Sequence, residues 1–228
     1  MKKFVETNNH RIICEAIDNQ ARFDGDFRPI IVISGNFGSG KTESLNHLAA
    51  QEGYFLVTCY KGIAHRALLC RIAESMELVP KGTIAQLTEQ IIQYWEESQT
   101  PMLVDEADFI ITGDLVEVVR CLADEANAPL CLSGMGRFEK LLKEYPHVLD
   151  RSPEPEFRVR LHPLTVKELK NIVSELSAVK WESSAIQFLH SKERGRYRGT
   201  MWSISKVDQM ARRNGVEVVD QYILEEML

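Results

Sequence analysis

Gly35-Asn36-Phe37-Gly38-Ser39-Gly40-Lys41-Thr42 fits the spacing G-x-x-x-x-G-K-[ST]. The chemistry of that spacing is phosphate binding. The glycines let successive backbone N–H groups curl into an anion nest, the lysine reaches β- and γ-phosphates, and the final hydroxyl is a Mg²⁺ ligand. The motif stands between the apolar run Ile30–Ile33 and a helical pattern, the strand-loop-helix context this chemistry needs. A second constellation, Met102-Leu103-Val104-Asp105-Glu106-Ala107-Asp108, is an apolar strand ending in adjacent carboxylates. Asp105 suits Mg²⁺ through its water shell, in company with Thr42, and Glu106 suits orienting and deprotonating an attacking water. Asp108 reads equally as a further site carboxylate and as a surface or helix-cap residue. A water activator beside a triphosphate cradle favours hydrolysis of ATP over transfer to a small acceptor, which would need its own pocket and lid arginines. Lys41, Asp105 and Glu106 are therefore the catalytic candidates; Gly35 through Thr42, with the adjoining Glu43, form the nucleotide cradle; Thr42 and Asp105 are the metal candidates.

These residues need a sheet whose strand ends converge. Short apolar runs alternate with helical patterns from about residue 29 to 161, which predicts an α/β layer fold with a mainly parallel five-stranded sheet. The strands expected are Pro29–Ser34, Tyr54–Cys59, Pro101–Asp105, Pro129–Ser133 and Phe157–Leu161; the helices between them are 41–52, 63–77, 84–97, 112–126 and 136–144. Capping boxes at Thr83-x-x-Gln86 and Thr165-x-x-Glu168 mark two helix starts. After Leu161 the pattern is all helical (165–179, 182–192, 200–213, 217–227). The expected organisation is an α/β nucleotide-binding domain over 1–161 and a small helical lid over 162–228.

The chain has 228 residues with 27 Lys plus Arg against 33 Asp plus Glu, a net charge of −6 that argues against a simple basic nucleic-acid coat. Charge is unevenly placed: Lys192, Arg194, Arg196, Arg198, Lys206, Arg212 and Arg213 face only Glu193 and Asp208 within 192–213, so a local anion-binding face is compatible with the acidic total. The five cysteines are odd in number and form no C-x-x-C pair, and the six histidines show no metal-ligand spacing. No apolar run approaches a membrane span, and the opening Met-Lys-Lys-Phe-Val-Glu-Thr lacks a signal peptide's apolar core, so a cytoplasmic protein is expected.

The phosphate motif, Leu-Val-Asp105-Glu106-Ala-Asp108, the later Leu-Ser-Gly134-Met-Gly-Arg137-Phe, Arg-Leu-His-Pro-Leu-Thr165, the opening Phe4-Val5-Glu6-Thr7 and Lys81-Gly82-Thr83 together resemble the AAA+ ATPases of the phage Mu B and TnsC transposition-protein family. The helix-turn-helix region that precedes the ATPase domain in Mu B has no counterpart in these residues. The resemblance implies a P-loop AAA+ three-layer domain with a helical lid. It also implies ATP and Mg²⁺ as cofactors and self-assembly into a ring or helical filament. The partners it implies are duplex DNA bound without sequence preference and a DDE transposase that receives this DNA as target. By position, Lys61 and Thr83 match backbone contacts to DNA in TnsC-like proteins, with Arg66, Arg71 and Lys81 nearby; Lys61 reads also as a solvated loop lysine and Thr83 as the cap of its helix. Arg158, and after it Arg151, match the arginine that one subunit offers to its neighbour's γ-phosphate. Ser133 and Met135 stand at the polar sensor position after the fourth strand, and Thr200-Met201-Trp202 follows Gly199 where an arginine is usual, with Arg198 as its substitute. Phe4, Val5 and Thr7 match an adenine pocket. A scaffold or helicase-loader-like protein, acting through a protein partner, is the alternative.

Overall fold

The computed structural model describes residues 4–25, 27–111 and 113–228. The elements run α1 (Asn8–Ala21), β1 (Ile30–Gly35), α2 (Lys41–Glu52), β2 (Phe55–Thr58), α3 (His65–Ser75), α4 (Ile84–Ser98), β3 (Met102–Asp105), α5 (Asp108–Ile111), α6 (Leu115–Ala126), β4 (Leu130–Met135), α7 (Phe138–Leu141), α8 (Pro146–Asp150) and β5 (Arg158–Leu161). There follow α9 (Val166–Leu176), β6 (Lys180–Trp181), α10 (Ser183–Glu193), α11 (Tyr197–Asn214), β7 (Val218–Val219) and α12 (Gln221–Met227). No helix among the described residues is long and apolar enough to cross a membrane.

The chain divides into two compact units. The larger comprises Ile12–Gly35 and Lys41–Leu161. Its sheet has the order β2-β3-β4-β1-β5, and every pairing is parallel. Every residue of β1 and β3 is buried, which is why both read as unbroken apolar runs rather than alternating patterns: a central parallel strand is covered on both faces. One core gathers β1 to β4 with α3, α4 and α6; a second gathers Ile13, Ala16 and Ile17 of α1 with Ile31, Ile33, Leu45 and Leu103. Helix α4 shows how pattern becomes packing. Leu87, Ile91 and Trp95 recur at helical spacing and are fully buried, and the Trp95 indole N–H finds Thr100 O at 2.8 Å, so the ring is buried without an orphaned donor. Its start is the expected Thr83–Gln86 capping box.

Residues 136–144 do not form the single helix expected there. Helix α7 ends after one turn, Leu142–Glu144 tighten into a 3-10 turn, and α8 restarts at Pro146. Proline lacks the N–H a helix interior needs and sits well only at a helix start, while Tyr145 leaves the helical path to hydrogen-bond Ile111 O and Asp114 through its hydroxyl, both at 2.8 Å. Of the expected helix 112–126, the structure has Leu115–Ala126; Thr112 lies outside the described residues.

The smaller unit comprises the chain up to Arg11, Asn36–Gly40 and His162–Leu228. It is not all helical, because β6 and β7 pair in parallel, Lys180 with Val218 and Trp181 with Val219. Helix α9 stops at Leu176 rather than 179: Ser177 turns extended, and its Oγ and the Ala178 N–H donate to Asp208 at 2.5 and 3.1 Å. Leu169, Ile172, Ala185, Leu189, Ile204, Val207 and Leu224 form this unit's own core.

Candidate functional site

In the larger unit, β1, β3 and β4 end side by side because β4 lies between the other two. The Lys41 ammonium, in the first turn of α2, donates to Gly35 O at 2.7 Å. Burial pushes the Lys41 pKa below its ordinary value, and the carboxylates of Asp105, Glu106 and Asp108 act in the opposite direction. Asp105 at the end of β3 is almost fully buried. It takes the Thr42 hydroxyl on Oδ2 at 2.7 Å and the Ser133 hydroxyl on Oδ1 at 3.0 Å. Its two oxygens are therefore directed by the first turn of α2 and by β4. Glu106 follows with φ of +55°, a left-handed conformation uncommon in a residue with a side chain. Asp108 is buried rather than on the surface, opens α5, and accepts the Met135 N–H on Oδ2 at 2.7 Å. Glu43 is exposed in the first turn of α2.

The Thr42 hydroxyl and the Asp105 carboxylate are hard oxygen donors already in contact, which suits Mg²⁺. No group of three or more His, Cys, Asp or Glu among the described residues could hold a metal ion.

Asn36–Gly40, the middle of the phosphate loop, is held within the smaller unit. Gly38 and Gly40 have φ of +78° and +90°, where a side chain would be strained, so the glycine spacing of the motif answers to backbone geometry. The buried Asn9 amide donates to Ser39 O at 3.0 Å and to His162 O at 2.7 Å. The Tyr197 N–H donates to Gly38 O at 2.6 Å, and the Arg198 guanidinium lies 4.9 Å from the Phe37 ring centre. Asn9 and Tyr197 are supports that sequence reasoning passed over. The signal available for Asn9 was Thr7-x-x-His10, in which the Thr7 hydroxyl accepts the His10 N–H at 3.2 Å and opens α1. Val5 and Thr7 are buried, whereas Trp202, at the position where an arginine is usual, is 63% exposed.

Lys61, Arg66, Lys81 and Thr83 are all exposed. Arg66 Nη1 donates to Gly82 O at 2.9 Å, which brings the start of α3 against the turn carrying Lys81 and Thr83. Arg71 lies over the Tyr60 ring at 4.9 Å, beside Lys61. The Thr83 hydroxyl is engaged with Gln86 as a helix cap. The two arginines ahead of and within β5 differ. Arg158 is held by Ser152 O, Leu149 O and Glu154 at 2.6, 2.9 and 3.0 Å. Arg151 reaches Asp124 at 3.3 Å and lies over the Phe27 ring, while its buried Nη1 has no hydrogen-bond partner among the described residues.

A glycine-rich loop between β1 and α2, a lysine at its end, and a hydroxyl joined to a carboxylate at the end of the parallel strand one place removed from β1 define a P-loop nucleotide-binding α/β domain. Within that class the chain belongs to the AAA domain family, whose model matches residues 26–142. Among solved structures, the ORC2 protein of Aeropyrum pernix, in ADPNP-ADP complexes, superposes with a TM-score of 0.71 at 14% identity, covering 100% of this chain and 68% of that one. Cdc6p from Pyrobaculum aerophilum gives 0.67 at 17% identity, covering 96% and 66%. The Aeropyrum pernix ORC1 protein in complex with DNA gives 0.62 at 15% identity, covering 96% and 63%. The chain thus spans about two thirds of the length of these proteins, and the likeness is one of fold. No curated protein matches in sequence.

Proposed function

We propose that this protein is an ATP-hydrolysing AAA+ protein that assembles on duplex DNA without reading its sequence and presents that DNA to a DDE transposase as target. The observation that carries the nucleotide half is the Thr42–Asp105–Ser133 hydrogen-bond chain beside Lys41. Bound Mg²⁺ would neutralise phosphate charge, with Thr42 and Asp105 to hold it. Lys41 binds and orients the phosphates, the Gly35–Thr42 backbone cradles them, and Glu106 takes a proton from the attacking water. Arg158 and Arg151 are the candidates for the arginine given to a neighbouring copy; each is engaged within its own chain, Arg158 with Ser152, Leu149 and Glu154 and Arg151 with Asp124, so either would have to leave these partners to serve there.

The DNA half rests on the exposed edge where Arg66 joins the turn of Lys81 and Thr83, with Lys61 and Arg71 beside it. Lysines and a hydroxyl suit phosphate contacts, which position a protein without specifying bases. That a fold neighbour was solved in complex with DNA is in keeping with this reading. The transposase comes from the likeness of the motifs to the Mu B and TnsC family.

The test is negative-stain imaging and sedimentation of the protein with duplex DNA, with ATP or without nucleotide, beside Lys41→Ala. ATP-dependent, salt-sensitive rings or filaments that Lys41→Ala abolishes are expected. A nucleotide-bound protein that stays monomeric and ignores DNA sinks the DNA half and leaves the partner-dependent scaffold in its place.

A further inference from the structure

Asp108 has no part in the chemistry assigned above, yet it is 9% exposed and stands near enough to Lys41 to act on the ammonium's protonation. One of its oxygens accepts the Met135 N–H at 2.7 Å, and the other is buried with no partner among the described residues. Leaving a carboxylate oxygen unmatched is costly, so its retention asks for a reason. The neighbouring bonds supply it. The β3–β4 ladder ends at the pair Val104–Leu132. Beyond that pair Ser133 Oγ donates to Asp105, the Ala107 N–H donates to Ser133 O at 2.8 Å, and the Met135 N–H donates to Asp108. These three bonds continue the pairing past the end of β3, through 105–108 on one side and 133–135 of β4 on the other. Glu106 lies inside that stretch in its left-handed conformation, which is strained for a residue with a side chain and persists only where the surroundings over-determine it.

We infer that Asp108 is a positioning residue: by clamping the Met135 backbone it locks the turn that aims Glu106 to the exit of β4. This rests on the reading of Glu106 as the water activator. A carboxylate makes a stronger bond to a backbone N–H than a neutral acceptor does, and the Lys41 charge offsets the burial of the second oxygen. A side chain that only capped α5 would have no need to reach another strand.

The experiment combines kinetics with amide exchange. Asp108→Ala lowers kcat by about tenfold or more, the scale of effect expected when a catalytic group is misplaced by a fraction of an ångström, while nucleotide affinity stays within about twofold. Asp108→Asn keeps an acceptor for Met135 and returns kcat to within about threefold of wild type. In a Glu106→Gln background Asp108→Ala adds no further loss, because both act through one group. In nucleotide-free wild-type protein the Met135 amide is protected from exchange, a measurement that needs neither hydrolysis nor a variant that folds. Asp108→Ala at the wild-type rate, Asp108→Asn as slow as Asp108→Ala, or an unprotected Met135 amide each overturns the assignment. Wild-type hydrolysis by Glu106→Gln would instead overturn the activator reading, with Met135 protection still deciding the clamp.

Discussion

Replacing Ser133 by alanine removes a single hydroxyl, and the surroundings set its cost. Ser133 is 0% exposed and Asp105 2% exposed, so no water can take over the donor that Asp105 Oδ1 loses. The serine hydroxyl donates to one oxygen of the carboxylate and the Thr42 hydroxyl to the other. A hydrogen bond to a charged group contributes about 1.5–3 kcal/mol, and the acceptor left behind stays buried. For a chain of this length each kcal/mol moves the melting temperature by about 2–4 °C, so Ser133→Ala is expected to melt about 3–12 °C below wild type without nucleotide. Ser133→Cys, close in volume but a weak donor, falls between the two. Thermal unfolding followed by circular dichroism reads the difference directly. The same scan with Mg-ATP then shows whether the damage reaches the site: wild type gains about 2.7 kcal/mol at one hundred times Kd, and the variant gains less. A Ser133→Ala protein melting within about 1 °C of wild type refutes the reasoning, since Asp105 would then not depend on that donor.

Three further outcomes are expected. A Cβ added at Gly134 would stand 2.6 Å from Phe138 Cβ and closer still to its Cγ, against a ring that is fully buried, so Gly134→Ala costs about 1–3 kcal/mol; unchanged melting would mean that the ring has room to move. Burial raises the Cys59 thiol to about 12, so between pH 9 and 12 the unfolded chain sheds a proton that the folded one keeps, and that stability is lost as pH rises. The advantage of wild type over Cys59→Ala in urea unfolding therefore shrinks across that window; a constant difference contradicts the shift. If Lys61 and Lys81 each neutralise one phosphate, replacing both by alanine reduces the log–log salt slope of duplex binding by about 2, whereas an unaltered slope places the DNA elsewhere.

What could be read from the chain and what could not divide along a physical line. The phosphate loop, Lys41, Thr42 and the Asp105-Glu106 pair were legible because each motif is local: glycines that adopt positive φ, an apolar strand, and charges at its end announce themselves within eight residues. The five strands were legible for the same reason. Asn9 and Tyr197, which hold Ser39 and Gly38, were not, since they lie some 30 and 160 residues away and carry no periodic signal. The β6–β7 pair escaped because two residues a side are too few for a period of two to show.

Ser133 was named from family likeness alone, and its function as a donor to Asp105 depends on something no motif encodes, the order of strands. Right-handed crossovers restrict how parallel strands connect but leave several orders open. In the order observed, β4 enters between β1 and β3, so the residue leaving β4 comes between the end of β1 and the acidic turn, able to touch the second from inside the sheet. Had β3 paired directly with β1, Ser133 could not stand between those two strand ends, and Met135 would offer its N–H to some other acceptor. Asp108, which from sequence read equally as a site carboxylate and as a surface or cap residue, gains its clamp from the same insertion. The chemistry of the site is thus written in short motifs, while the rigidity that makes it usable is a property of topology.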